Sequence, residues 1–115
     1  MLTLPIKRQW YDAILAGKKK IEYREIKPYW TSRFLKVLAI KGKPDETISA
    51  LERKINWQDN HFEVMFRNGY EPNSPSFIAL CSLDIGPGEP RWSSPYERYY
   101  RLHIEKSKEE AQNDS

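Results

Sequence analysis

Gly17-Lys-Lys-Lys-Ile-Glu-Tyr-Arg24 is the stretch where the chain changes period, and that change decides the fold. Upstream, over residues 8–16, Trp10, Ala13 and Ile14 share one helical stripe, with Tyr11 and Leu15 beside it. Gly17 suits the left-handed position that stops such a helix. Downstream, Ile21 and Tyr23 alternate with Lys20, Glu22 and Arg24, so residues 20–25 read as a strand. Period two puts the apolar pair inward and groups the charges on the opposite face, with Lys19 left to the turn. Five of the eight side chains are charged, more than a helix-to-strand junction needs, and a site for an anion would use them. The same residues could instead form a solvated ion-pair ladder, with Glu22 between Lys20 and Arg24.

Working outward, Leu2, Leu4 and Ile6 alternate with Thr3 and Pro5, a short strand that Pro5 assigns to a sheet edge. Pro28 closes the charged segment. Tyr29, Trp30, Arg33 and Phe34 then fit a short helical turn, and Val37, Leu38 and Ile40 a short strand. Ile48, Leu51 and Ile55 predict a helix from about Asp45. Phe62, Val64 and Phe66 alternate with Glu63, Met65 and Arg67, a half-buried strand ended by the Asn68-Gly69 turn. Phe77 to Ile85 is nearly all apolar and reads as a central strand covered on both sides. Tyr100, Leu102 and Ile104 alternate in the last strand. Residues 2–104 form one domain, and residues 105–115 a polar, frayed tail. Five or six short strands with two or three helices make an α+β, mainly β fold, a small mixed β-barrel.

The net charge of the 115 residues is +3, but residues 1–43 carry +8 and the remainder −5. A basic half points to an anionic partner, such as nucleic acid, a nucleotide or an acidic surface. Cys81 is the only cysteine, which excludes a disulfide framework and makes the cytoplasm the default compartment. No apolar run approaches the roughly 20 residues of a membrane span, and the N-terminus is not built as a signal peptide. One Cys and two distant His give no credible metal site, so neither metal nor other cofactor is expected. Gly17-Lys-Lys-Lys lacks the upstream glycine of a phosphate-cradling P-loop, and no nucleophile elbow occurs. His61 and His103 read as solvent-exposed strand residues.

The charged octet survives that screening. Lys18, Lys19, Lys20 and Arg24 suit phosphates, and Glu22 can order them or accept a hydrogen bond from a base edge. Tyr29-Trp30, Tyr70 and Trp92 lie where a core has least use for them. Rings of this kind stack on unpaired bases at about 1–3 kcal/mol per base.

Gly17-x-Lys19-x-x-Glu22-x-Arg24 resembles the Gly-x-Lys-x-x-Glu-x-Arg signature of the ASCH family. Leu4-Pro-Ile-Lys7, Trp10 to Gly17, Pro28-Tyr-Trp30 with Arg33, and Phe66-Arg-Asn-Gly-Tyr70 extend the likeness across most of residues 2–104. The resemblance implies a PUA-like barrel that binds RNA or a nucleotide in a cleft beside the signature turn. Lys19, Glu22 and Arg24 would line that cleft, flanked by Arg67, Asn68 and Tyr70, with Trp30 or Trp92 as a stacking surface. One branch of the family resembles an amidohydrolase acting on N4-acylated cytidine, and another a metal-assisted ribonuclease. In the first, Lys19 would be the activating base, but Glu22 occupies the position of the threonine nucleophile. Catalysis by Lys19 and Glu22 is therefore the alternative to binding, with Thr31 and Ser32 as the nearby hydroxyls. A protein-interaction module is a third reading.

Overall fold

The computed structural model describes residues 1–91, 93, 94 and 96–107; the expected stacking residue Trp92 and residues 108–115 of the tail lie outside that set. Its elements run β1 (Leu2–Ile6), α1 (Arg8–Leu15), β2 (Ile21–Glu25), α2 (Pro28–Leu38), α3 (Ile48–Ile55), β3 (Phe62–Asn68), β4 (Ser76–Pro87) and β5 (Arg98–Ser107). The strands form one mixed sheet in the order β1-β3-β4-β5-β2, in which only β1 and β3 are parallel. The sheet curls into a half-barrel, so the expected small barrel-like α+β fold is the fold observed. Pro5 does lie in an edge strand, where its missing N–H removes no ladder bond.

The core fills the inner face. Leu4, Val64, Phe66, Ala79, Cys81 and Leu102 are fully buried there, and each helix adds to the same cluster: Tyr11 and Ile14, Phe34 and Leu35, Leu51 and Ile55. Aromatic contacts set the docking of two helices. Tyr11 meets Phe77 at 5.1 Å, bringing α1 onto β4, and Phe34 meets Tyr100 at 4.8 Å, bringing α2 onto β5.

Five local expectations are corrected. The short turn at residue 29 and the strand at Val37–Ile40 are replaced by α2, eleven residues long. Pro28 opens it, since its fixed φ is helical and its missing N–H is not needed there. Trp30, Phe34 and Leu38 are spaced i, i+4, i+8, so Val37-Leu38 is the helix's last turn and not a strand. Ala39 ends it in the left-handed region (φ 56°), with Ile40 N–H on the Leu35 carbonyl at 2.9 Å. Helix α3 starts at Ile48, not Asp45, because Thr47 caps it by accepting from the Ala50 N–H at 3.2 Å. β4 is central but covered on one side only: Leu80, on its outer face, is 38% exposed. β5 continues through residues 105–107, where the sequence reads as frayed tail; Lys106 and Ser107 pair with Leu80 and Ala79 of β4 beyond a register shift at Glu105.

β4 outruns β3, whose last partner in the register is Phe62 opposite Cys81. Beyond it two side-chain amides take the place of a strand. Asn60 donates to the Leu83 carbonyl (3.0 Å) and accepts from the Leu83 N–H (2.6 Å). Asn56 does the same for Ile85, at 2.9 and 2.8 Å. Among the described residues no helix is long and apolar enough to cross a membrane.

Burial pushes the Cys81 thiol up to about 12 from an ordinary 9.0, aided by the charge of Glu105. The unfolded chain therefore releases this proton from pH 9 upward while the native protein keeps it. Stability falls with rising pH through that window, by roughly 1.4 kcal/mol per pH unit from this group. Chemical denaturation between about pH 8 and pH 10 will show a shallower decline for Cys81→Ala than for the natural chain.

Candidate functional site

The end of α1 delivers the site. Gly17 (φ +74°) donates to the Ile14 carbonyl and Lys18 to the Ala13 carbonyl, at 3.0 and 2.9 Å, the paired bonds of a Schellman stop. The chain turns through Lys19 into β2. Lys19 folds inward, only 3% exposed, and its Nζ donates to the Ile21 carbonyl at 2.7 Å. The same ammonium stands 3.4 Å from Glu22 Oε1 and lies over the rings of Trp10 (5.5 Å) and Tyr23 (5.2 Å).

β2 shows which face of the alternation is inner, and it is the charged one. Glu22 pairs with Leu102 and Arg24 with Tyr100, both fully buried, so both charges point to the core side while Ile21 and Tyr23 do not. The expected apolar-inward parity is thus reversed. Lys19 and Arg24 make the burial of Glu22 tolerable, since a buried carboxylate must be paired.

Arg24 donates from Nη1 to the Tyr23 carbonyl (2.8 Å) and from Nη2 to the Pro5 carbonyl (3.1 Å). The second bond spans from β2 to β1, the two edge strands of the half-barrel. Its guanidinium lies 5.1 Å from the Trp30 ring and 3.5 Å from Glu22 Oε2. Glu22 Oε1 accepts from the Tyr23 N–H at 3.1 Å. Glu22 Oε2 is buried and has no hydrogen-bond partner among the described residues. Burial pulls the Lys19 pKa down, the neighbouring Glu22 carboxylate holds it up in part, and Arg24 adds to the lowering.

Above this triad opens a cleft of about 630 Å³ along the seam between β1 and β2. Pro5, Ile6 and Lys7 line one side and Glu22 to Glu25 the other, with Trp10, Lys27, Tyr29, Trp30 and Tyr70 completing the wall. Of the residues singled out from sequence, Lys19, Glu22, Arg24, Trp30 and Tyr70 come together here. Lys18 and Lys20 are exposed and do not line the cleft; Lys20 instead offers its carbonyl to the Ile104 N–H. Arg33 backs the wall, its guanidinium 3.4 Å from the centre of the Tyr29 ring and donating to the Tyr29 carbonyl. Arg67 and Asn68 sit in β3 opposite Pro5 and Ile6 and stay out of the cleft. Lys7, Trp10, Tyr23 and Lys27 were not expected. A signal for three of them exists: Lys7-Arg-Gln-Trp10 and Lys27-Pro-Tyr-Trp30 share one spacing at two helix starts.

Neither nearby hydroxyl is set up as a nucleophile. Thr31 is buried, with its hydroxyl 2.6 Å from that of Tyr100, and Ser32 does not line the cleft. His61 is exposed beside Glu105, as expected, but His103 is half-buried and bonded to Asp84 at 3.0 Å. Asp84 is also gripped by two nitrogens of Arg101, at 2.8 and 2.7 Å. Among the described residues no group of three or more His, Cys, Asp or Glu could hold a metal ion. Comparison with protein-family models, with curated proteins and with solved structures finds no match to the chain.

Proposed function

We propose that the chain is an ASCH-type, PUA-like domain that binds RNA or a nucleotide in the cleft between β1 and β2. The observation that carries this reading is the vacant acceptor of Glu22. Its Oε2 is buried and makes no hydrogen bond among the described residues, with only the Arg24 guanidinium beside it at 3.5 Å, and a ligand N–H would complete it. Nucleobase edges present such N–H groups. Trp10, Tyr29 and Trp30 supply flat surfaces for a ring, and Lys7, Lys27 and Arg24 supply cations for phosphate. Such ligands put the protein in the cytoplasm.

The test is binding of short single-stranded RNA as a function of salt. With about three phosphates neutralised, a fourfold rise in salt weakens binding roughly 20-fold. Lys19→Ala combined with Arg24→Ala abolishes it in a protein still folded by circular dichroism. A flat salt response, or undiminished binding by the folded double variant, would sink the reading.

One observation favours a second reading. Lys19 combines a burial-lowered pKa with a carboxylate 3.4 Å away, the arrangement of a general base and its orienting acid. On that reading the cleft hydrolyses N4-acylated cytidine, and Glu22→Gln stops turnover. Absence of turnover in the natural chain leaves binding as the function.

A further inference from the structure

Five aromatic residues among those described line the cleft, and four of them are braced by the protein itself. The Lys19 ammonium lies over Trp10 (5.5 Å) and Tyr23 (5.2 Å), and Tyr23 also meets Tyr99 edge-to-face at 5.8 Å. Tyr29 meets Trp30 edge-to-face at 4.9 Å and has the Arg33 guanidinium 3.4 Å from its centre. Trp30 stacks at 6.0 Å on the buried Phe34 and has Arg24 at 5.1 Å. Tyr70 is the exception. It is 84% exposed, and its side chain makes neither a hydrogen bond nor a ring contact among the described residues.

The backbone that carries this ring is nevertheless fixed. Tyr70 belongs to the turn between β3 and β4, closed at its base by the Asn68 N–H on the Pro75 carbonyl at 2.9 Å. Gly69 N–H donates to the Ile6 carbonyl at 3.0 Å, which holds the turn against the end of β1 and brings it to the cleft. Gly69 takes φ +97°, a left-handed backbone that suits glycine, and residues 70–73 beyond it are exposed. Tyr70 is therefore placed by its main chain and free at its side chain, and an exposed side chain changes rotamer within nanoseconds.

We propose that Tyr70 closes on a planar ring of the ligand held against the braced aromatic wall, so that the cleft takes a nucleobase only when it is unpaired. The inference rests on the nucleotide reading of the cleft and adds which form of nucleic acid enters. A base stacked within a duplex offers a protein its edge and not its faces, and has to leave the stack before rings can cover it. A cavity of about 630 Å³ has the size of a small-molecule site and so suits one base and its sugar. The braced rings are already ordered and lose little freedom when a base arrives. Tyr70 has only two side-chain torsions to fix, a small cost for the area that it covers. One loose ring among four held ones lets a ligand in and then encloses it.

The experiment follows the Tyr70 ring by NMR in the full chain with ring-labelled tyrosine, its signals assigned from Tyr70→Phe. The probes are the four nucleosides, a short single-stranded RNA, the same RNA as a duplex, and indole as an uncharged ring without a sugar. Nucleosides and the single strand will shift the Tyr70 ring, and the duplex will not. Tyr70→Ala will weaken single-strand binding roughly tenfold, the worth of one stacked ring, while Tyr70→Phe binds as the natural chain does. The Tm of both variants stays within about 3 °C of the natural chain, as for an exposed side chain without contacts. Single-strand binding that Tyr70→Ala leaves unchanged overturns the proposal while the nucleotide reading stands. Duplex binding as tight as that of the single strand overturns it as well. If no nucleoside or RNA binds but indole shifts the Tyr70 ring and binds more weakly to Tyr70→Ala, the closing ring stands and the nucleotide reading fails. A Tyr70 ring that no probe moves overturns the closure outright.

Discussion

Replacing Glu22 with leucine will destabilise the protein by about 3–5 kcal/mol, a large share of a small domain's stability. Only part of the loss comes from the carboxylate's own hydrogen bond, made by Oε1, since Oε2 has no hydrogen-bond partner among the described residues. Most of it comes from Lys19, which stays buried among Trp10, Tyr23 and the Ile21 carbonyl without the carboxylate that stood 3.4 Å away. Lys19→Met added to Glu22→Leu removes the stranded ammonium and recovers most of the stability, since apolar residues of similar volume replace a buried ion pair at little cost. Urea denaturation of the three proteins checks this. The single variant also carries a pH signature. The Lys19 pKa is lowered in the native state, so above that value the unfolded chain binds more protons than the folded one. Stability of Glu22→Leu therefore rises with pH, in the window between the native Lys19 value and its ordinary 10.5. A cost below about 1 kcal/mol for Glu22→Leu would show that the triad is not a coupled buried network. Ligand binding is lost in the single and the double variant alike, which separates the triad's use from its effect on stability.

Phe34→Ala will cost a similar amount, about 3–5 kcal/mol, for a different reason. Phe34 is fully buried between the sheet and the cleft wall, 4.8 Å from Tyr100 on one side and 6.0 Å, stacked, from Trp30 on the other. Alanine leaves a cavity beneath α2 at the point where that helix is held to β5. The change also reaches the site without touching it. Trp30 loses its inner support, so the ring that Arg24 approaches from the cleft side is no longer fixed. Thermal unfolding and tryptophan emission of the same variant read the two effects. A Tm drop with no change in the Trp30 environment would mean that the wall is held by Tyr29 and Arg33 instead.

How much of this was visible in the residues depends on what each position demanded. Gly17 announced the helix stop because few other residues accept its left-handed backbone, and Pro5 announced an edge because it cannot donate to a ladder. Alternation grouped Glu22 with Arg24, but it could not say which face was inner. That was decided by Leu102 and Tyr100, some eighty residues away, which lie opposite them in the sheet. Val37-Leu38-x-Ile40 misled because a short apolar cluster fits either period, and only the longer Trp30, Phe34, Leu38 spacing separates them. In the sequence alone Lys7 has a place only in the family likeness, and Lys27 has none. Their position becomes informative only when both helix starts are seen to meet at one cavity.

The asparagines at the end of β4 bear on how the protein behaves in company. A strand that outlives its neighbour leaves N–H and C=O groups ready to recruit a strand from another molecule, the first step of edge-to-edge aggregation. Asn56 and Asn60 occupy that template at Leu83 and Ile85 with groups that cannot be extended further. With those positions filled, this end of the sheet is closed as a point at which copies of the chain could join.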